Sequence, residues 1–169
     1  MLGKKWLKGA ALCFLSLVAI VFIVFITSKP TFSYNYHKLT ERVKIGLEYT
    51  DPAKQTIYLQ PYIENPNAAS NMTLKTNENF ITVCVLNESR KVLTHAVKVE
   101  QQAGKPTNGL INTTLGPGEK EKNQSYYAIE LPDDAKYIQL EFSGKIEDEF
   151  GTASIDKMIE VNVNHLTAI

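Results

Sequence analysis

An enzyme needs a nucleophile with a base, carboxylates paired in one cleft, or a cluster of metal ligands. Three histidines are present, His37, His95 and His165. They are scattered, with no H-x-x-x-H or H-E-x-x-H spacing, and lone histidines of this kind are expected in or at the rim of a core. Cys84 lies between Val83 and Val85 in the most apolar run after residue 31. It is expected to act as a small buried hydrophobe, because a reactive thiol needs exposure and a nearby positive charge. No G-x-S-x-G, phosphate-loop or dinucleotide fingerprint occurs. Asp133 and Asp134 follow Pro132 in a turn. Glu147, Asp148 and Glu149 form the one acidic run with calcium in reach, supplying three of the roughly six to eight oxygens the ion takes. The D-x-D-x-[DN]-G pattern is absent, so the run reads first as a solvated acidic loop. These residues predict no cofactor and no catalysis. Tyr58, Tyr62 and Tyr126 are the candidates for a ligand or partner surface, since aromatics concentrate at interfaces.

Those residues ride on short alternating runs. After Thr31 no stretch carries a long 3.6-residue apolar period; runs of period two with turn residues between them are the strand signature. Val43–Tyr49 sets Val43, Ile45, Leu47 and Tyr49 against Lys44, Gly46 and Glu48. Thr56–Glu64 follows, with Pro61 expected at an edge or a bulge, and Asn65–Asn71 as loop. Phe80–Leu86 is apolar on both faces and predicts a central, covered strand. Asn87–Arg90 turns the chain and Lys91–Val99 returns it, the clearest hairpin in the chain, with His95 alternating with Leu93 and Val97 and so pointing partly inward. Leu110–Leu115, Ser125–Leu131, Lys136–Ile146 and Met158–Val163 read as further strands, with Gly116–Asn123 and Glu147–Ser154 as turn and loop. A short helix is expected over Tyr36–Arg42. Phe32–Tyr36 reads either as a first strand or as aromatics at a membrane interface. The sum is about eight strands, an all-β antiparallel sandwich.

Two stretches sharpen that expectation. "ITVCVLNESRKVL" (Ile81–Leu93) and "LGPGEKEKNQSYYAIELPDDAKYIQLEF" (Leu115–Phe142) together cover roughly 40 of the 169 residues. They resemble small bacterial membrane-anchored immunoglobulin-like surface domains, in which a hydrophobic strand ends in a polar turn and returns at Lys-Val. A Leu-x-Pro-Gly turn, a polar–apolar strand and then Leu-Pro follow. The resemblance implies an immunoglobulin-like sandwich in an exported setting and carries no active site. Ser89-Arg90 stand where that turn often has glycine.

The N-terminus decides the setting. Gly9–Ile26 is 18 uncharged, almost wholly apolar residues, long enough as a helix for roughly 27 Å of a hydrocarbon core about 30 Å thick. A secretory apolar region is shorter, about 7–15 residues. Ile26-Thr27-Ser28 is a poor cleavage site, although cleavage near Ser28, releasing a secreted domain, is the alternative. Lipidation at Cys13 is excluded by Leu12 before it and by its early place in the run. Lys4, Lys5 and Lys8 precede the run and Lys29 alone closely follows it, which predicts an inside N-terminus. The expected layout is a cytoplasmic segment over 1–8, a transmembrane helix over 9–28, a juxtamembrane linker over 29–42 and an extracytoplasmic sandwich over 43–169. Gly9, Cys13 and Ser16 share one helix face at spacings suited to close helix packing.

Composition narrows the partners. The chain has 18 basic and 18 acidic residues; four of the basic ones lie at or before Lys29, leaving 14 basic against 18 acidic beyond it. A segment of net charge about −4 has no nucleic-acid footprint. Lys outnumbers Arg 16 to 2, a bias of AT-rich genomes that points to a low-GC Gram-positive bacterium or its phage. The expected partners are the lipid bilayer and another membrane or surface protein. The expected role is a non-catalytic accessory subunit at the cell membrane, working through its outer domain. A cell-wall carbohydrate or small-ligand module is the alternative; an unrecognised hydrolase would require a histidine and two carboxylates converging in one cleft.

Overall fold

Alternating runs become strands only when each finds a partner. The computed structural model describes residues 30–52, 56–101 and 109–167. The chain divides into two units, Met1–Pro30 and Thr31–Ile169, and the described strands belong to the second. The expected transmembrane helix over 9–28, with Gly9, Cys13 and Ser16, lies outside the described residues. Among the described residues no helix is long and apolar enough to cross a membrane.

The described strands are β1 (Tyr34–Leu39), β2 (Lys44–Tyr49), β3 (Thr56–Glu64), β4 (Met72–Thr76), β5 (Ile81–Asn87), β6 (Val97–Gln101), β7 (Ile111–Leu115), β8 (Lys120–Lys122), β9 (Ser125–Glu130), β10 (Ala135–Asp148) and β11 (Gly151–Asn162), followed by the single turn α1 (Val163–Thr167). Every pairing is antiparallel. The first sheet runs β1-β2-β3-β9-β6, with β8 also on β3; the second runs β11-β10-β4-β7, with β5 also on β10. The all-β, two-sheet sandwich is therefore as expected, with eleven described strands in place of about eight.

Each sheet has one long strand bordered by two short collinear ones. In the first, β3 pairs with β9 over Thr56–Leu59 and with β8 over Tyr62–Glu64. In the second, β10 pairs with β5 over Ala135–Phe142 and with β4 over Lys145–Glu147. The core lies between the sheets. Ile45, Leu47, Ile57, Leu59, Ile63 and Ile129 face Leu74, Ile81, Val85, Ile138, Leu140, Phe142 and Ile146, all fully buried. Each such side chain contributes about 1.5–3 kcal/mol relative to exposure.

Two buried asparagines tie the sheets together. Asn123 stands at the break between β8 and β9, 1% exposed. Its Nδ2 donates to the Ile81 carbonyl (2.6 Å) and its Oδ1 accepts the Ile81 N–H (3.2 Å). Ile81 opens β5, just past the break between β4 and β5, so one side chain joins the interruptions of both sheets. The Tyr127 hydroxyl also donates to the Ile81 carbonyl, at 2.9 Å. Asn65, 2% exposed, donates to the carbonyls of Ser70, Leu115 and Gly116 at 2.9–3.2 Å. It fastens the β3–β4 loop to the β7–β8 turn.

Several expectations are corrected. Pro61 is neither at an edge nor in a bulge: it is buried in the sheet, opposite Leu47 of β2. Its other side meets the β8–β9 break, where its carbonyl accepts the Asn123 N–H at 3.0 Å and its missing N–H leaves no strand partner unsatisfied. Phe80–Val99 is not a hairpin. After the turn at Asn87–Arg90 the return makes one bridge, Leu86 to Val92, and a second turn closed by Ala96 N–H to Leu93 O (3.0 Å) sends the chain to the other sheet, where β6 pairs with β9. The covered central strand thus has a strand partner on one side only, apart from that bridge. Residues 36–39 are strand instead of helix, and β1 falls within 29–42, the expected linker. The expected loop Glu147–Ser154 is a tight hairpin, with Asp148 opposite Gly151.

Candidate functional site

The residues that could do chemistry are placed apart. His37 is exposed on β1, His95 is exposed in the turn that leaves the second sheet, and His165 is exposed on α1. Cys84 faces outward from the second sheet, opposite Gln139, and is half-buried, which corrects the expected burial in the core. Burial, then the charges of Glu141 and Glu160, push its thiol up, away from the nucleophilic thiolate. The acidic run is divided among three structural partners. Glu147 accepts from Lys75 (2.7 Å), Asp148 is bound by Arg42, and Glu149 accepts from Asn67 Nδ2 (2.5 Å). Strand alternation sends Glu147 and Asp148 to opposite faces. Among the described residues no group of three or more His, Cys, Asp and Glu is placed to hold a metal.

One cleft does gather a histidine with carboxylates. It has a volume of about 640 Å³ and lies between residues 91–96 and 130–134, with His95, Glu130 and Asp134 in its lining. Glu130 is held by Lys98 at 2.7 Å. No hydrogen bond joins His95 to either carboxylate, so the base–orienter contact that general-base chemistry uses is not made here.

The candidate tyrosines share a surface. Register places Tyr58 and Tyr62 of β3 and Tyr126 of β9 on the outer face of the first sheet. Tyr62 is nonetheless fully buried. Its ring lies over Gly46, where a Cβ would sit 2.4 Å from Tyr62 Cζ. Its hydroxyl donates to Asn35 Oδ1 at 2.7 Å, and Lys120 Nζ covers the ring 4.3 Å from its centroid. Above it runs a lattice of ion pairs: Lys44 with Glu64, Lys122 with Glu48 at 2.6 Å, and Lys120 at 3.9 Å from both Glu48 and Glu64. Burial holds its phenol above the ordinary value. Tyr62 is thus the floor of a charged lattice and cannot be reached. Tyr58 and Tyr126 remain half-exposed, meeting edge to face at 5.8 Å, with Phe32 edge-on to Tyr126 at 6.2 Å.

A second surface went unnoticed in the sequence. At one end of the sandwich four connections gather: the β1–β2 turn, the β3–β4 loop, the β7–β8 turn and the β10–β11 turn. Arg42, in the first, binds Asp148 through two of its guanidinium nitrogens, Nε (3.0 Å from Oδ2) and Nη2, and Nη2 also donates to the Gly151 carbonyl at 2.7 Å. Asp148 Oδ1 also accepts the Phe150 N–H at 2.8 Å. Burial pushes the Asp148 carboxyl up, but the Arg42 and Phe150 hydrogen bonds and the Arg42 charge outweigh it and leave it below its ordinary 3.8. Phe150 itself stands 76% exposed at the tip.

No protein-family pattern matches the chain, and no curated protein matches it. Among solved structures it is similar to the GAE domain of yeast GGA1, at 12% identity and TM-score 0.42, covering 76% of this chain and 98% of that one. It is also similar to the GAE domain of GGA2p from Saccharomyces cerevisiae (8%, 0.37, 76% and 97%) and to the putative ApaA protein from Bordetella pertussis (14%, 0.34, 74% and 93%). Likeness at this level carries nothing about function.

Proposed function

We propose that residues 31–169 are a non-catalytic interaction domain, held outside the cell by an uncleaved N-terminal helix with its N-terminus inside, and serving as an accessory subunit to another membrane or surface protein. One observation carries the interaction reading. The acidic run is engaged in holding the fold, whereas large apolar side chains on turns and edge strands (Leu39, Val99, Leu110, Phe150 and Met158) stand more than half exposed. Binding residues are disproportionately carried on connections positioned by a rigid scaffold, and an apolar side chain exposed there suits protein contact. The anchor and its orientation rest on the 18-residue apolar run and the lysines before it. External protease added to intact protoplasts is expected to digest the domain and spare the N-terminal fragment. A protected domain, or a mature chain beginning after Ser28, would overturn the anchored arrangement.

A second reading has its own support. Tyr58, Tyr126 and Phe32 form a half-exposed aromatic strip on one sheet face, a surface on which a sugar ring stacks. Titration with cell-wall polysaccharide, followed by tyrosine fluorescence, separates the readings. Saturable binding lost in Tyr126→Ala favours the carbohydrate module, and no response favours the protein partner.

A further inference from the structure

We infer that the β10–β11 tip is the docking element of this domain, with Phe150 as its anchor, and that it enters an apolar pocket edged by Lys or Arg on a partner protein. The inference rests on the interaction reading above. A phenylalanine at a tight turn has no local cause: turn positions favour Gly, Pro, Asn, Asp and Ser for backbone reasons. Asp148 and Gly151 meet those needs here, Asp148 by accepting the Phe150 N–H and Gly151 by adopting φ +89°. The ring covers no core, since 76% of Phe150 is exposed.

The tip is also held still. Glu149 is bound by Asn67, the Phe150 N–H by Asp148, the Gly151 carbonyl by Arg42, and the Arg42 guanidinium lies 6.0 Å from the centre of the Phe150 ring. An aromatic ordered before binding loses little entropy on docking, and phenylalanine is among the residues enriched at interface cores. Charge decides the kind of pocket. Asp148 and Glu147 are matched by Arg42 and Lys75, and Glu41 by Lys157. Among the described residues Glu149 and Glu119 are held by neutral donors, Asn67 Nδ2 and the Gly116 N–H. Glu149, at the tip itself, therefore carries negative charge with no basic partner among the described residues. It complements a basic rim and is repelled by an anionic lipid surface, which favours a protein over a membrane as the occupant.

The test is site-specific photocrosslinking in the native host, with benzoylphenylalanine placed in the full-length chain at position 150 or, separately, at position 126. The expected result is one protein adduct from position 150. It maps to an apolar pocket bordered by Lys or Arg, and its yield falls about tenfold or more in Glu149→Lys. Phe150→Ala should weaken the purified pair by a similar factor with a nearly unchanged melting temperature, because the Phe150 ring packs into no core. Adducts to lipid alone, or a mapped contact on an acidic or flat polar surface, overturn the inference. A protein adduct from position 126 with none from 150 overturns it while leaving the interaction reading intact. No protein adduct from either position removes both.

Discussion

Asn123 shows how much one buried side chain can hold. Its amide supplies both partners of the Ile81 backbone at the point where each sheet is interrupted. Asn123→Ala leaves a buried N–H without its acceptor and the Ile81 carbonyl with Tyr127 alone. Each unsatisfied buried group costs about 1–3 kcal/mol, so the variant is expected to lose about 2–4 kcal/mol in denaturant unfolding. A loss under about 0.5 kcal/mol, the size of an ordinary surface change, would show that the clasp is not what joins the sheets. Nothing in the residue types announced this, since "KNQS" reads as turn. The tyrosines were legible in part. Alternation placed Tyr58 and Tyr62 on one face, but the burial of Tyr62 depends on Gly46 lying beside it, and that pairing exists only once β2 and β3 are in register.

At the scale of elements, the β10–β11 hairpin is where sequence and structure part most clearly. The run Glu147–Ser154 looked like loop because it is polar and acidic. Yet Asp148 and Gly151 occupy the first and fourth positions of a four-residue turn, where Asp and Gly are favoured, and that signal was available. β4 was legible too: Met72, Leu74 and Thr76 alternate inward, but the run is only five residues long and follows a loop rich in Asn. The destination of β6 was not legible, because alternation sets a face and does not say which sheet the strand joins. The hairpin tip also predicts a pH response. The Asp148 carboxyl in the folded chain lies below its ordinary 3.8. Its contribution is therefore present above that value and is lost as pH falls through the folded one. Melting temperatures measured from pH 7 to pH 3 should fall more steeply for the natural chain than for Asp148→Asn, and the two should converge in acid. At neutral pH the gap is expected to be modest, up to about 1 kcal/mol, because water reaches the pair. Parallel profiles would show that Arg42 does not depend on Asp148 being charged.

At the scale of the whole molecule, five crossings between the sheets (β3–β4, β5–β6, β6–β7, β7–β8 and β9–β10) leave neither sheet contiguous in sequence. Cys84 is free, so the hydrophobic core and the two asparagine clasps carry the fold without a described disulfide. Residues 31–169 should therefore unfold in one transition, coincident by circular dichroism and tyrosine fluorescence and unmoved by reductant. Separate transitions, or a reductant effect, would contradict that. The overall class was readable because period-two runs and turn residues are local. The order of strands within the sheets was not, because it is decided by contacts between distant segments. The Ile81 clasp has a further consequence, in time. Its two partners are 42 residues apart, and the bonds can form only after β5 and the β8–β9 break have reached opposite sheets. Contacts that close such spans form slowly. The clasp is therefore a late closure in folding, and the Ile81 amide, shielded by a side chain from the other sheet, exchanges with solvent only when the sandwich opens.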